Sequence, residues 1–115
     1  MIIPYEVYPF DCMVEFNPDF KQLKEELKKR GIKESISYLK GEGITTARTI
    51  MFEGGQTLII FKDPNPSHGV IAHEAFHAVQ FLMERIKITL NYESCEAFAY
   101  LLEYLVNKIY EVKKS

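Results

Sequence analysis

His73-Glu74-Ala75-Phe76-His77 sets two imidazoles four positions apart, with a carboxylate beside the first. On an α-helix, residues i and i+4 stack on one face about one turn apart, so both imidazoles can take corners of a tetrahedral zinc site. Glu74 then reaches a water molecule rather than the metal, which is where a general base belongs. The competing possibility is a pair of helix histidines with a salt-bridging glutamate, packed against a sheet. Burying two imidazoles and a carboxylate together is costly without metal or partners, and this favours the metal site.

A catalytic zinc needs a third protein ligand and an open fourth position. After His77, the places where a metzincin carries Gly and His hold Gln80 and Met83, which excludes that subclass. Glu93 and Glu96 open the next helical stretch. From His77 to Ile86 a helix runs about 13 Å, and the five connecting residues reach at most about 16–18 Å. An antiparallel second helix therefore returns its first or second turn alongside His77. Both glutamates are permitted, because i,i+3 residues share a face. The helix macrodipole alone favours a carboxylate in a first turn, by about 0.3–1 kcal/mol, so Glu93 fits that role or a hydrogen-bonding partner of a ligand better than it fits a ligand, a role that stays open to it. Glu96 lies deeper, beside the apolar stripe begun by Ala97-Phe98, where a metal explains a charge better than a surface salt bridge does. His68, five residues before His73, fits a solvated helix start, a third histidine ligand or a substrate contact.

The elements that must position these groups follow from periodicity and punctuation. Ser67 can cap a helix over about 68–87 that carries the motif, with Val70, Ile71, Phe76, Val79, Leu82 and Ile86 among its apolar residues. A second helix over about 92–113, with Asn91 as N-cap, shows the stripe Phe98, Leu101, Leu102, Leu105, Val106 and Ile109. Residues 47–52 and 56–61 flank Gly54-Gly55 and read as a β-hairpin. Residues 5–16 read as a strand near an edge, because Pro9 interrupts them. Asn17-Pro18 begins a helix faced by Phe20, Leu23 and Leu27 and stopped by Gly31. A shorter helical turn is expected over residues 33–40. The sum is an α+β fold: a small sheet of about three strands packed on the motif helix and an antiparallel C-terminal helix, plus one N-terminal helix.

Composition bounds the rest. With 115 residues, 13.4 kDa and 47% hydrophobic content, the chain fits a single domain over residues 1–115. Seven Tyr and eight Phe, with no Trp, suit an anchored core. Net charge is −2, so no global field draws the protein to nucleic acid or anionic membrane. Residues 21–40 hold seven basic and three acidic side chains, but cations at a helix C-terminus complement its dipole. No apolar run is long enough to span a bilayer, and Met1-Ile2-Ile3-Pro4-Tyr5-Glu6 lacks the character of a signal peptide. Cys12 and Cys95 fit two buried free thiols in a reducing cytoplasm better than one long-range disulfide.

His73-Glu74-x-x-His77, eighteen residues, then Glu96-Ala97-Phe98-Ala99 resembles the gluzincin pattern of zinc aminopeptidases. In those enzymes a Glu-Gly-Phe-Ala segment on the following helix supplies the third ligand. Thermolysin-like peptidases are similar, with almost the same spacing, and small phage or mobile-element metallopeptidases share such a minimal core. The matched stretch covers about residues 70–105. The resemblance implies a zincin-like fold, Zn²⁺ held by His73, His77 and Glu96, Glu74 as general base, and a peptide or protein substrate. It also implies that the strand Thr57–Phe61 offers its edge to an extended substrate. Full-size gluzincins carry a downstream subdomain that forms half the cleft and supplies a Tyr or His to polarise the scissile carbonyl, whereas here 19 residues follow Glu96. Tyr100, one turn after Glu96, is the best local candidate for that role, ahead of Tyr104, His68 and Arg48; it fits a core tyrosine or a hydrogen-bond partner for a ligand equally. The alternative function is a weakly active or inactive binding or regulatory module on the same scaffold. Small size and the missing donor favour that alternative; the intact Glu74 argues against it.

Overall fold

A strand with a continuous apolar run has to be covered on both faces, and Leu58-Ile59-Ile60-Phe61 is such a run, in a strand buried at all its positions from Thr57 on. The computed structural model, which describes residues 1–5, 8, 10–32 and 46–114, places it inside a sheet between two helical layers. The elements run β1 (Ile2–Pro4), β2 (Asp11–Phe16), α1 (Phe20–Lys29), β3 (Ala47–Met51), β4 (Thr57–Phe61), α2 (His68–Arg85) and α3 (Cys95–Lys114). Among the described residues the sheet has four strands in the order β1-β2-β4-β3. β2 and β4 are parallel, from Cys12 opposite Thr57 to Phe16 opposite Phe61, and the two outer pairings are antiparallel.

Alternation along β4 sorts the core. Ile59 and Phe61 pack with Ile71, Ala75 and Leu82 of α2 and with Leu105 and Ile109 of α3. Leu58 and Ile60 face the other way, with Met13, Ile50 and the α1 residues Leu23 and Leu27. The fold is therefore α+β in three layers: α1, the sheet, and the α2–α3 pair. The two C-terminal helices are antiparallel. The first residue of α2, His68, packs its ring against that of Tyr110 near the end of α3, with centroids 5.4 Å apart and planes tilted by 34°, and Lys113 Nζ donates to the carbonyl of Pro66 at 3.5 Å.

Several boundaries differ from expectation for local reasons. The strand expected over 5–16 starts at Asp11, and Ile2–Pro4 forms a separate partner strand, which makes four strands rather than about three. Between them the chain turns, with the Tyr8 amide donating to the carbonyl of Tyr5 and the Tyr5 amide to that of Phe10. Asn17 is not the cap of α1. Its amide donates to the carbonyl of Phe61 at 2.6 Å, and its φ of 44° lies in the left-handed region that Asn tolerates. Asn17 thus finishes the β2–β4 ladder, and capping passes to Asp19, whose carboxylate accepts from the amides of Lys21 and Gln22 at 2.9 and 3.2 Å. Gly31, at φ 81°, follows the end of α1 as expected. The helical turn expected over 33–40 lies outside the described residues.

The N-cap expected of Asn91 is a turn instead. Asn91 and Ser94 bond reciprocally, amide to side chain, at 3.0 Å each way, and α3 begins one residue later. Arg30 Nη2 bridges both carboxylate oxygens of Asp11 at 2.7 and 2.8 Å, tying the end of α1 to the start of β2. Of the two cysteines expected to be buried, Cys12 is buried and Cys95 is exposed at the first residue of α3. No described helix is long and apolar enough to cross a membrane.

Candidate metal centre

α2 starts where Ser67 Oγ accepts from the Val70 amide at 3.2 Å, and one side of it is buried through Ile71, Ala75, Ala78, Val79, Leu82 and Met83. At 100° per residue, His73 and His77 fall on the opposite, outward side, one turn apart. Their Nε2 atoms face each other at 3.2 Å, with the ring planes 73° apart. Two nitrogens each about 2.0–2.1 Å from a tetrahedral zinc sit about 3.3–3.4 Å from one another, so the pair already has the spacing of two adjacent corners. His77 is flanked by the rings of Phe76 and Phe81, each 6.4 Å away between centroids.

Glu74 points sideways from the histidines toward β3 and is only 7% exposed. A carboxylate at that depth requires hydrogen-bond partners. Thr49 supplies one, with its hydroxyl 2.8 Å from Glu74 Oε1 and 3.1 Å from the carbonyl oxygen of the same residue. The other carboxylate oxygen, Oε2, lies 3.8 Å from His73 Nε2 and so faces the imidazole pair. A cavity of about 520 Å³ opens beside them, lined by Thr46, Ala47, Gly69 and Val70 together with His73 and Glu74.

The other sequence candidates are placed as follows. Glu96 is in the first turn of α3 and Tyr100 one turn later; both are exposed, Tyr100 at 66%. They share the side of α3 opposite Phe98, Leu101, Leu105 and Ile109. Among the described residues no group of three or more His, Cys, Asp or Glu side chains is arranged to hold a metal ion, so Glu96 is not gathered with His73 and His77. Glu93 is exposed in the turn before α3. His68 Nδ1 is hydrogen-bonded to the Tyr110 hydroxyl, about 140° around the helix from His73. The Tyr104 hydroxyl donates to the carbonyl of Pro4, which commits it to β1. Arg48 alternates with Thr49 along β3 and so belongs to the opposite sheet face from α2.

Two features escaped the sequence. Among the described residues the edge strand beside the histidines is β3, not β4: β4 spends its backbone groups on β2 to one side and β3 to the other. Thr49 is the second. A threonine in a strand is unremarkable, and nothing local joins it to a glutamate 25 positions away. Comparison of the chain with models of known families, with curated proteins and with solved structures finds no match.

Proposed function

We propose that the chain is a zinc-dependent metallopeptidase, with a minimal zincin-like core. The observation that carries this reading is the buried Glu74 beside paired imidazoles at zinc-ligand spacing. A purely structural histidine pair needs no buried carboxylate with one oxygen held and the other turned toward it. His73 and His77 would hold Zn²⁺; the gluzincin-like spacing implies Glu96 as the third ligand, although the structure does not gather it with the two histidines. When bound, the metal contributes Lewis acidity that brings a water's pKa down toward ~7.

The chain's own residues do the rest. Among the described residues β3 pairs with β4 alone, and its other edge can add an extended peptide by main-chain pairing, which binds substrate with little sequence preference. Oε2 of Glu74 takes the proton of the attacking water and delivers it to the leaving amine. Tyr100, exposed on α3, is the candidate to polarise the scissile carbonyl. The proposed setting is the cytoplasm, and the proposed partner is a peptide or protein rather than nucleic acid or membrane.

Metal analysis of purified protein, wild type beside His73→Ala, together with cleavage assays of Glu74→Gln, tests this. The expected result is zinc in the wild type, its loss in His73→Ala, and zinc retained without cleavage in Glu74→Gln. A wild type prepared without chelator that carries no metal refutes the proposal. Zinc in the wild type without turnover selects the binding-module alternative.

A further inference from the structure

Thr49 is placed to serve two parts of the proposed site at once. The amide of Phe52 donates to the carbonyl of Gln56 at 2.9 Å, and that of Lys62 to the carbonyl of Thr46 at 3.0 Å. In an antiparallel ladder such hydrogen-bonded pairs alternate with unbonded ones. The register of Ala47 opposite Phe61 then assigns positions 46, 48, 50 and 52 to β4. The amides and carbonyls of Ala47, Thr49 and Met51 accordingly face away from β4, toward the side of β3 where no described strand pairs. The side chain of Thr49 meanwhile points at α2, where its hydroxyl reaches Glu74.

A hydroxyl carries one proton, and two acceptors of Glu74 lie within reach. The main-chain carbonyl of a mid-helix residue already accepts from the amide four positions on. The carboxylate is the stronger and nearer acceptor, so the proton goes to Oε1. That bond leaves Oε2 as the oxygen turned to the imidazoles. The β-branched Thr side chain has little χ1 freedom in a strand, so the hydroxyl is held where β3 puts it.

We propose that Thr49 is a positioning residue for Glu74: its hydroxyl aims the carboxylate, while its main-chain groups lie on the edge that takes the peptide. One residue thereby fixes the base and the substrate backbone in a common frame. The inference rests on the metallopeptidase reading, and it concerns Thr49 acting through Glu74 rather than touching the reacting atoms.

The test compares wild type, Thr49→Val and Thr49→Ser for zinc content, thermal melting, and kcat and KM on dye-quenched casein. Valine keeps the shape and removes the hydroxyl; serine returns it. The expected outcome is full zinc content and a cooperative melt in all three, with kcat of Thr49→Val down about 10–100-fold, KM within about twofold, and Thr49→Ser recovering most of the loss. Unchanged kcat in Thr49→Val overturns the assignment, as does equal loss in both variants. Loss of zinc or of cooperative melting in Thr49→Val also overturns it, since Thr49 would then serve the metal or the fold. A zinc-loaded wild type that cleaves nothing is a different failure, visible before any variant is read, and removes the peptidase reading together with the role built on it.

Discussion

At the scale of single residues, the two cysteines offer a check that is independent of any activity. Cys12 lies in the core next to Tyr5, and burial pushes its thiol up to about 12. It therefore stays protonated through neutral and mildly alkaline pH, and the thiol is a poor nucleophile. Cys95 is exposed at the start of α3. Alkylation at pH 8, followed by intact-mass measurement, is expected to add one label quickly to native protein, on Cys95, and a second only after denaturant. Rapid double labelling of the native state contradicts the burial. His73, Glu74 and His77 were legible because a single helical turn relates them, and the sequence prints that relation as a spacing of four. Thr49 was not, since its bond to Glu74 is made by the packing of a strand on a helix. Glu96 and Tyr100 were legible as a spacing on one helix face, but which way that face turns depends on how α3 packs. The apolar stripe turns it outward.

At the scale of elements, competition for backbone groups explains most of the misplaced boundaries. Asn17 and Asp19 are both good caps, and the choice between them is made by Phe61, a strand residue far along the chain. Replacing Asp19 by Ala is expected to destabilise the protein by about 0.5–2 kcal/mol in chemical denaturation, while Asn17→Gly, which keeps the left-handed backbone, costs less. Equal losses at the two positions contradict the assignment of the cap. The hairpin, the two long helices and the sorting of apolar residues onto α1, α2 and α3 could be read from periodicity. The order of strands could not. A continuous apolar run says that β4 is covered on both faces, but not that β2 lies alongside it in parallel. Hence the sequence points to the strand nearest the motif as the edge, whereas the structure gives that place to its hairpin partner.

At the scale of the whole molecule, the labour is divided unevenly. Thr49, His73, Glu74 and His77 all come from residues 46–114, whereas β1, β2 and α1 contribute none of the candidate chemistry. The N-terminal third occupies one edge of β4 and covers Leu58 and Ile60. A fragment of residues 46–114 is accordingly expected to aggregate rather than melt cooperatively, seen by size-exclusion chromatography and calorimetry, because it exposes a flat apolar strand with an open edge. A monomeric, cooperatively melting fragment contradicts that role. The parallel β2–β4 pairing also governs time. It joins Cys12 to Thr57, 45 positions apart, so the centre of the sheet closes only through a large loop. Helices α2 and α3 can form early from local contacts, but they have no completed floor to pack on until the second strand of the chain finds the fourth. During synthesis β2 leaves the ribosome well before its partner and has to wait, its apolar face unpaired, for the 45 positions from Phe16 to Phe61 to follow.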